Sequence, residues 1–174
     1  MKKKKNFSVA VIVCLSLCFI VGVGLFVLFS YSEDIRSQKY IKKIHNQSLN
    51  QPFLVSSVFD FEFDRAYLIK DAYLGGDGIC EEYGLDLSIS DVQSKEQEYI
   101  QRIIFVNEKG QLLYEFRYDV ADMYIEQNNL IFYPDTKMER YASGYYNKFC
   151  EIKFLDIPPE NYLKKRDGSP PVNY

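Results

Sequence analysis

The sequence predicts an α+β fold: one N-terminal transmembrane helix, then a small domain dominated by an antiparallel β-sheet with one or two short helices. Three observations carry this expectation. The 25 residues from Phe7 to Tyr31 contain no ionisable acid or base. Ile100–Val106, the turn-forming Asn107-Glu108-Lys109-Gly110 and the alternating stretch Gln111–Tyr118 read as a β-hairpin. Aromatic residues make up 16% of the chain, as 15 Tyr and 13 Phe without Trp. Such side chains favour pleated, half-buried surfaces.

A chain of 174 residues is the length of a single domain. Its formal charge of −3 is unevenly spread. Lys2, Lys3, Lys4 and Lys5 stand at one end, and no acidic residue precedes Glu33. Without those four lysines, 17 basic side chains face 24 acidic ones, a balance of about −7. An acidic domain is poorly suited to displacing counterions from a phosphate backbone, so nucleic acid is not an expected partner. The aromatic content reads as a tyrosine-rich core or as a stacking surface for sugars or peptides.

Residues 1–6 form a basic tip, and residues 7–31 the membrane helix. At ~1.5 Å per residue that helix is about 37 Å long, enough to cross a ~30 Å hydrocarbon layer with some tilt. Phe7, Phe26, Phe29 and Tyr31 place rings near its ends, as membrane interfaces prefer. The tetralysine block predicts a cytoplasmic N-terminus and an extracytoplasmic C-terminal domain at the cell membrane. Arg36, Lys39, Lys42 and Lys43 on the other flank make the contrast modest. Cleavage stays open as a second reading because Ser30-Tyr31-Ser32 offers small residues at the right spacing, although the apolar run exceeds that of a signal peptide. Cys18 does not fit a lipidated cysteine, since Leu17 precedes it and the apolar run continues. Cys14 and Cys18 share one helix face, as packing residues or as an acylation or dimer contact.

Residues 32–50 read as a juxtamembrane stalk. Ser32 before Glu33 and Asp34 resembles a helix N-terminus, which predicts a short helix to about residue 46. Arg36, Lys39 and Lys43 would share a face that is solvated or meets anionic headgroups. The domain spans residues 51–156. Phe53–Phe59 and Phe61–Lys70 read as strands, as do Leu130–Tyr133, Lys137–Ala142 and Phe149–Leu155. In the hairpin, Tyr114, Phe116 and Tyr118 face the core, while Glu115, Arg117 and Asp119 face water. Asp77–Tyr83, stopped by Gly84, reads as a short helix. Ser90–Glu98 fits a helix or a loop, and Asp119–Gln127 fits helix or strand. Residues 157–174 form a proline-containing tail with two similar pentapeptides, Pro158-Pro159-Glu160-Asn161-Tyr162 and Pro170-Pro171-Val172-Asn173-Tyr174. An extended tail and a duplicated peptide ligand are both compatible with it.

Asp60, Glu62 and Asp64 alternate with Phe59, Phe61 and Phe63, so in a strand the three carboxylates share a face. Calcium takes about six to eight oxygen ligands. Side chains of a straight strand point in parallel and do not converge, so a solvated acidic face is the reading. His45, the only histidine, lies in the stalk, away from any nucleophile. Two domain cysteines cannot make a zinc site, and Gly75-Gly76-Asp77-Gly78 lacks the lysine of a phosphate loop. No catalytic, cofactor-binding or metal-binding residue is assigned, and no cofactor is expected. An extracytoplasmic compartment permits a disulfide between Cys80 and Cys150; two buried free thiols are the other reading.

The segment Phe61-Glu62-Phe63-Asp64-Arg65-Ala66-Tyr67-Leu68-Ile69, with the stretch ending at Gly84 and the Ile103–Tyr118 hairpin, resembles a group of small bacterial secreted or lipoprotein domains. Those domains open on a [Phe/Trp]-Asp-x-x-Tyr strand, and the likeness covers residues 59–155. Phe63 stands where tryptophan is usual. The resemblance implies an extracytoplasmic location and no particular activity. It marks Phe63, Asp64 and Tyr67 as structurally special, with the aspartate expected to accept backbone hydrogen bonds.

These readings lead to a non-enzymatic, membrane-tethered binding or accessory domain of a bacterial envelope, with another envelope protein or a cell-wall ligand as partner. The alternatives are a small envelope hydrolase using Asp60, Glu62 or Asp64, and an immunity or inhibitor protein.

Overall fold

The computed structural model describes residues 19, 21, 35–70, 76–87, 100–142 and 150–168. The basic tip 1–6, Ser90–Glu98 and Pro170–Tyr174 lie outside the described residues, as does the apolar segment 7–31 except for Phe19 and Val21, which are helical and exposed. No helix among the described residues is long and apolar enough to cross a membrane. The chain divides into two compact units, Met1–Lys39 and Tyr40–Tyr174. Helix α1, residues 35–45, supplies its second half to the second unit.

The described residues of the second unit are α+β, with eight strands in two four-stranded sheets and few helices. Its elements run β1 (Pro52–Leu54), α2 (Val55–Val58), β2 (Arg65–Ile69), α3 (Gly76–Tyr83), β3 (Ile100–Val106), β4 (Leu112–Asp119), β5 (Met123–Ile125), β6 (Leu130–Phe132), β7 (Lys137–Tyr141) and β8 (Cys150–Phe154). The first sheet has the order β1-β7-β8-β5, antiparallel apart from the β5–β8 pair. The second, β4-β3-β2-β6, is antiparallel throughout.

The sequences of β2 and β3 explain why the second sheet lies in the middle. Arg65-Ala66-Tyr67-Leu68-Ile69 and the Ile103-Ile104-Phe105-Val106 half of β3 are nearly continuous apolar runs, the pattern of strands covered on both faces. One face, with Ala66, Leu68, Ile103, Phe105, Tyr114 and Phe116, meets Met123, Ile125, Met138, Ile152 and Phe154 of the first sheet in the main core. The opposite face presents Tyr67, Ile69, Ile104 and Val106 to Ile79 and Tyr83 of α3 and to Leu163.

Several expectations change. The strand Phe53–Phe59 is a three-residue strand followed by a helical turn, because Val55 N donates to Thr136 O and Ser56 N to Pro134 O, bending the chain away from a ladder. The strand expected from Phe61 starts at Arg65. At residues 119–127, Asp119 accepts from Ala121 N and Asp122 N, closing a turn before β5 pairs parallel to β8. The face of the hairpin assigned to water carries a buried ion pair, Arg102–Glu115, at 3.3 Å.

Both domain boundaries move outward. Tyr40, Ile41 and Ile44 of the expected stalk are 0%, 6% and 2% exposed and belong to the main core. His45 comes with them: its Nε2 lies 3.3 Å from Asp122 O, and its carbonyl accepts from Arg140 Nη1. The tail is docked through residue 166. Pro159–Asn161 forms a 3-10 turn, Tyr162 bridges Leu130, Leu163 N donates to Asn129 O, and Arg166 N donates to Glu82 O. The first proline pentapeptide is therefore folded against β6, the edge of the second sheet.

Candidate functional site

A groove of about 940 Å³ opens where the 56–64 segment, the β3–β4 turn and Pro134 meet. Its floor follows from the alternation of aromatic and acidic residues along 59–64. Phe59, Phe61 and Phe63 turn inward and set their rings 4.6, 5.1 and 4.9 Å from that of Phe105, tilted or edge-on. Asp60, Glu62 and Asp64 turn the other way and line the groove. The acidic row expected on a strand face is thus kept, although β2 begins only after it.

The three acids have different environments. Asp60 Oδ1 accepts from the Tyr40 hydroxyl at 2.7 Å, and Lys43 Nζ lies 3.6 Å from Oδ2 while donating to Val58 O. Asp64 Oδ2 accepts from Arg65 Nη1 at 2.6 Å. Arg65 Nε donates to the Tyr67 hydroxyl at 2.9 Å, and that contact, ahead of Asp64, raises the guanidinium above its ordinary value. The Phe63-Asp64-x-x-Tyr67 motif is therefore a local clamp: Phe63 is in the core, and Arg65 ties Asp64 to Tyr67. Among the described residues the Asp64 carboxylate accepts from Arg65 rather than from backbone, and its own N–H donates to Val106 O. Glu62 is exposed, with no hydrogen bond or ion pair among the described residues.

The opposite wall is a rigid turn. Asn107 Oδ1 accepts from the backbone N–H of Lys109 and Gln111, and its Nδ2 donates to Gln111 Oε1. Gly110 closes the turn at φ +76°, a left-handed conformation costly for a residue with a Cβ. Glu108 and Lys109 stand at the tip, exposed, with no side-chain partner among the described residues. A register shift between Phe105 and Val106 leaves Leu113 unpaired, and it projects 43% exposed at the groove.

This arrangement has room for a ligand, and among the described residues that line it no histidine or cysteine accompanies the acids. Asp60 is engaged by Lys43 and the Tyr40 hydroxyl, and Asp64 by Arg65. No group of three His, Cys, Asp or Glu among the described residues is placed to hold a metal ion. Both Cys80 and Cys150 are free, so the bond that the compartment would permit is not made. Cys80, beside the α3 core, donates to Leu87 O, and burial raises its thiol. Cys150 lies in the main core on β8, where burial pushes its thiol up to about 11 against the opposing charge of Arg140.

One polar cluster had no sequence signal. Lys70 Nζ donates to Ile125 O and lies 4.8 Å from the Tyr124 ring centroid; burial lowers it to about 8, with Glu126 opposing. Tyr141 is pushed up to about 12, first by burial and then by Glu126 and Glu151. Four separate elements supply these side chains, so only folding assembles them. The one local hint is a lysine directly after the apolar strand β2.

No protein-family model, no curated protein and no solved structure matches the chain. What the fold itself defines is an α+β domain of two sheets with an open, acid-lined groove.

Proposed function

We propose that this protein is a membrane-tethered, extracytoplasmic binding or accessory domain of a cell envelope, acting without catalysis. Residues 7–31 are its transmembrane anchor, residues 1–6 its cytoplasmic tip, and the folded unit from Tyr40 onward is held outside. The uncharged run 7–31 directly behind four lysines supports that placement. The observation that carries the reading is the groove. It is large and open, its walls are fixed by hydrogen bonds, and two of its three candidate catalytic acids are committed to Lys43 and Arg65. Pre-formed concave surfaces with few free polar groups are what binding sites require.

Two measurements test this. Protease added to intact, wall-stripped cells is expected to remove the domain and leave a small membrane-embedded fragment. Full protection reverses the orientation, and release of intact domain without protease indicates cleavage near Ser32. Wall hydrolysis by the purified protein that is lost on replacing Asp60, Glu62 and Asp64 with amides would establish the hydrolase instead.

A further inference from the structure

The binding-domain reading leaves the occupant of the groove unspecified; resting on that reading, we infer that it takes an extended, lysine- or arginine-bearing segment of another protein. The cation meets Glu62 and Glu108, and a neighbouring apolar side chain covers Leu113 and Phe61.

Charge selects the sign of the ligand. Four of the five ionisable side chains lining the groove are acidic: Asp60, Glu62, Asp64 and Glu108, against Lys109. Lys43 and Arg65 already neutralise Asp60 and Asp64. Glu62 and Glu108 remain, exposed and with no ion pair among the described residues. An anionic ligand would meet both of them and only one lysine.

The apolar part selects a peptide over a sugar. Sugar recognition uses open aromatic faces and amide side chains. Here Phe59 and Phe63 are 2% and 9% exposed, their rings already packed on Phe105. The amides of Asn107 and Gln111 are hydrogen-bonded to each other. What stays accessible is aliphatic or half-buried: Leu113, Pro134 and part of Phe61. The fixed turn and the clamped 60–64 segment lower the ordering cost of binding. Exposed charge pairs are individually weak and screened, so binding will be modest and strongly salt-dependent.

The test uses the full-length protein in detergent micelles and a fluorescein-labelled hexapeptide of alternating lysine and leucine, read by fluorescence polarisation. The comparator is the same peptide with glutamate in place of lysine. The basic peptide is expected to bind and to weaken roughly fivefold or more between about 50 and about 300 mM salt. E62Q/E108Q is expected to weaken it about tenfold and L113S severalfold, with melting temperatures unchanged. E160Q, an exposed acid outside the groove, is expected to bind as wild type. Equal binding of the acidic comparator, wild-type binding by E62Q/E108Q, or no binding of the basic peptide each overturns the inference. So does sedimentation showing a dimer that E62Q/E108Q abolishes, since the occupant is then a second copy. Failure of the anchor appears in the protease experiment and failure of the non-catalytic reading in the hydrolysis assay, both independent of polarisation.

Discussion

Replacing Glu115 with glutamine tests whether the α3-side face of the second sheet is as dry as the structure has it. Arg102 and Glu115 are on neighbouring strands, β3 and β4, with Nη1 and Oε1 3.3 Å apart and side chains 4% and 7% exposed. Arg117 Nε reaches the same oxygen at 3.5 Å, but its side chain is 34% exposed and can hydrate. Glutamine keeps the shape and one acceptor while removing the charge, so the loss falls on the buried guanidinium of Arg102. Breaking one member of a buried pair costs roughly 3–5 kcal/mol. The retained acceptor and Arg102's further interactions place E115Q at the lower end, about 3 kcal/mol. At roughly 2–4 °C per kcal/mol for a chain of this size, its melting temperature falls by about 6–12 °C. R102M leaves Glu115 with Arg117, so its loss is smaller, about 2 kcal/mol. R102M/E115L removes both charges and recovers most of the stability, because a buried pair and its apolar replacement are nearly equivalent. Urea unfolding followed by circular dichroism at several temperatures gives all three values. The reasoning fails if E115Q stays within about 0.5 kcal/mol of wild type, or if the double variant is as unstable as the sum of the singles.

Three further outcomes rest on particular contacts. Lys70 is held near 8 in the folded state against an ordinary 10.5, so the unfolded chain binds more protons between those values and stability rises with pH from about 8. Above about 10 the hydroxyls of buried Tyr118 and half-buried Tyr141, both raised, pull the other way, so the difference between wild type and K70M across pH 7–10 is the quantity to measure; K70M is expected to be the more stable at pH 7 and to lose the rise. A chain starting at residue 51 lacks Tyr40, Ile41 and Ile44, each a buried side chain with a typical contribution of about 2–5 kcal/mol, and is expected to lose its cooperative melt, whereas a chain starting at residue 35 keeps it. In native alkylation followed by mass spectrometry, partly accessible Cys80 is labelled first and Cys150 only after unfolding, since Cys150 is buried and its thiol sits near 11; equal labelling of both would show that the β8 core is open.

Features that depend only on near neighbours along the chain were legible before folding. The β3–β4 hairpin is one, because alternation in β4 and the Asn107–Gly110 turn are local signals, and Gly84 marked the end of α3 because only glycine readily takes its φ of +64° there. The acidic row and the Phe63-Asp64-x-x-Tyr67 motif could be singled out in the same way, though not what their side chains would touch. Long-range packing settled everything else. Three apolar side chains in a charged helix, Tyr40, Ile41 and Ile44, read as a stalk until Phe59, Tyr114 and Phe116, far along the chain, supply the surface that buries them. Two sheets could not be told from one, since β5 joins β8 in parallel across a long connection and no local pattern names a distant partner. Which acids are free was settled the same way: Asp60 is taken by Tyr40 and Lys43, 20 and 17 residues earlier, and Glu62 is not. A carboxylate's availability depends on which cation the fold brings within hydrogen-bond reach, and that is a property of the packed chain rather than of any stretch of it.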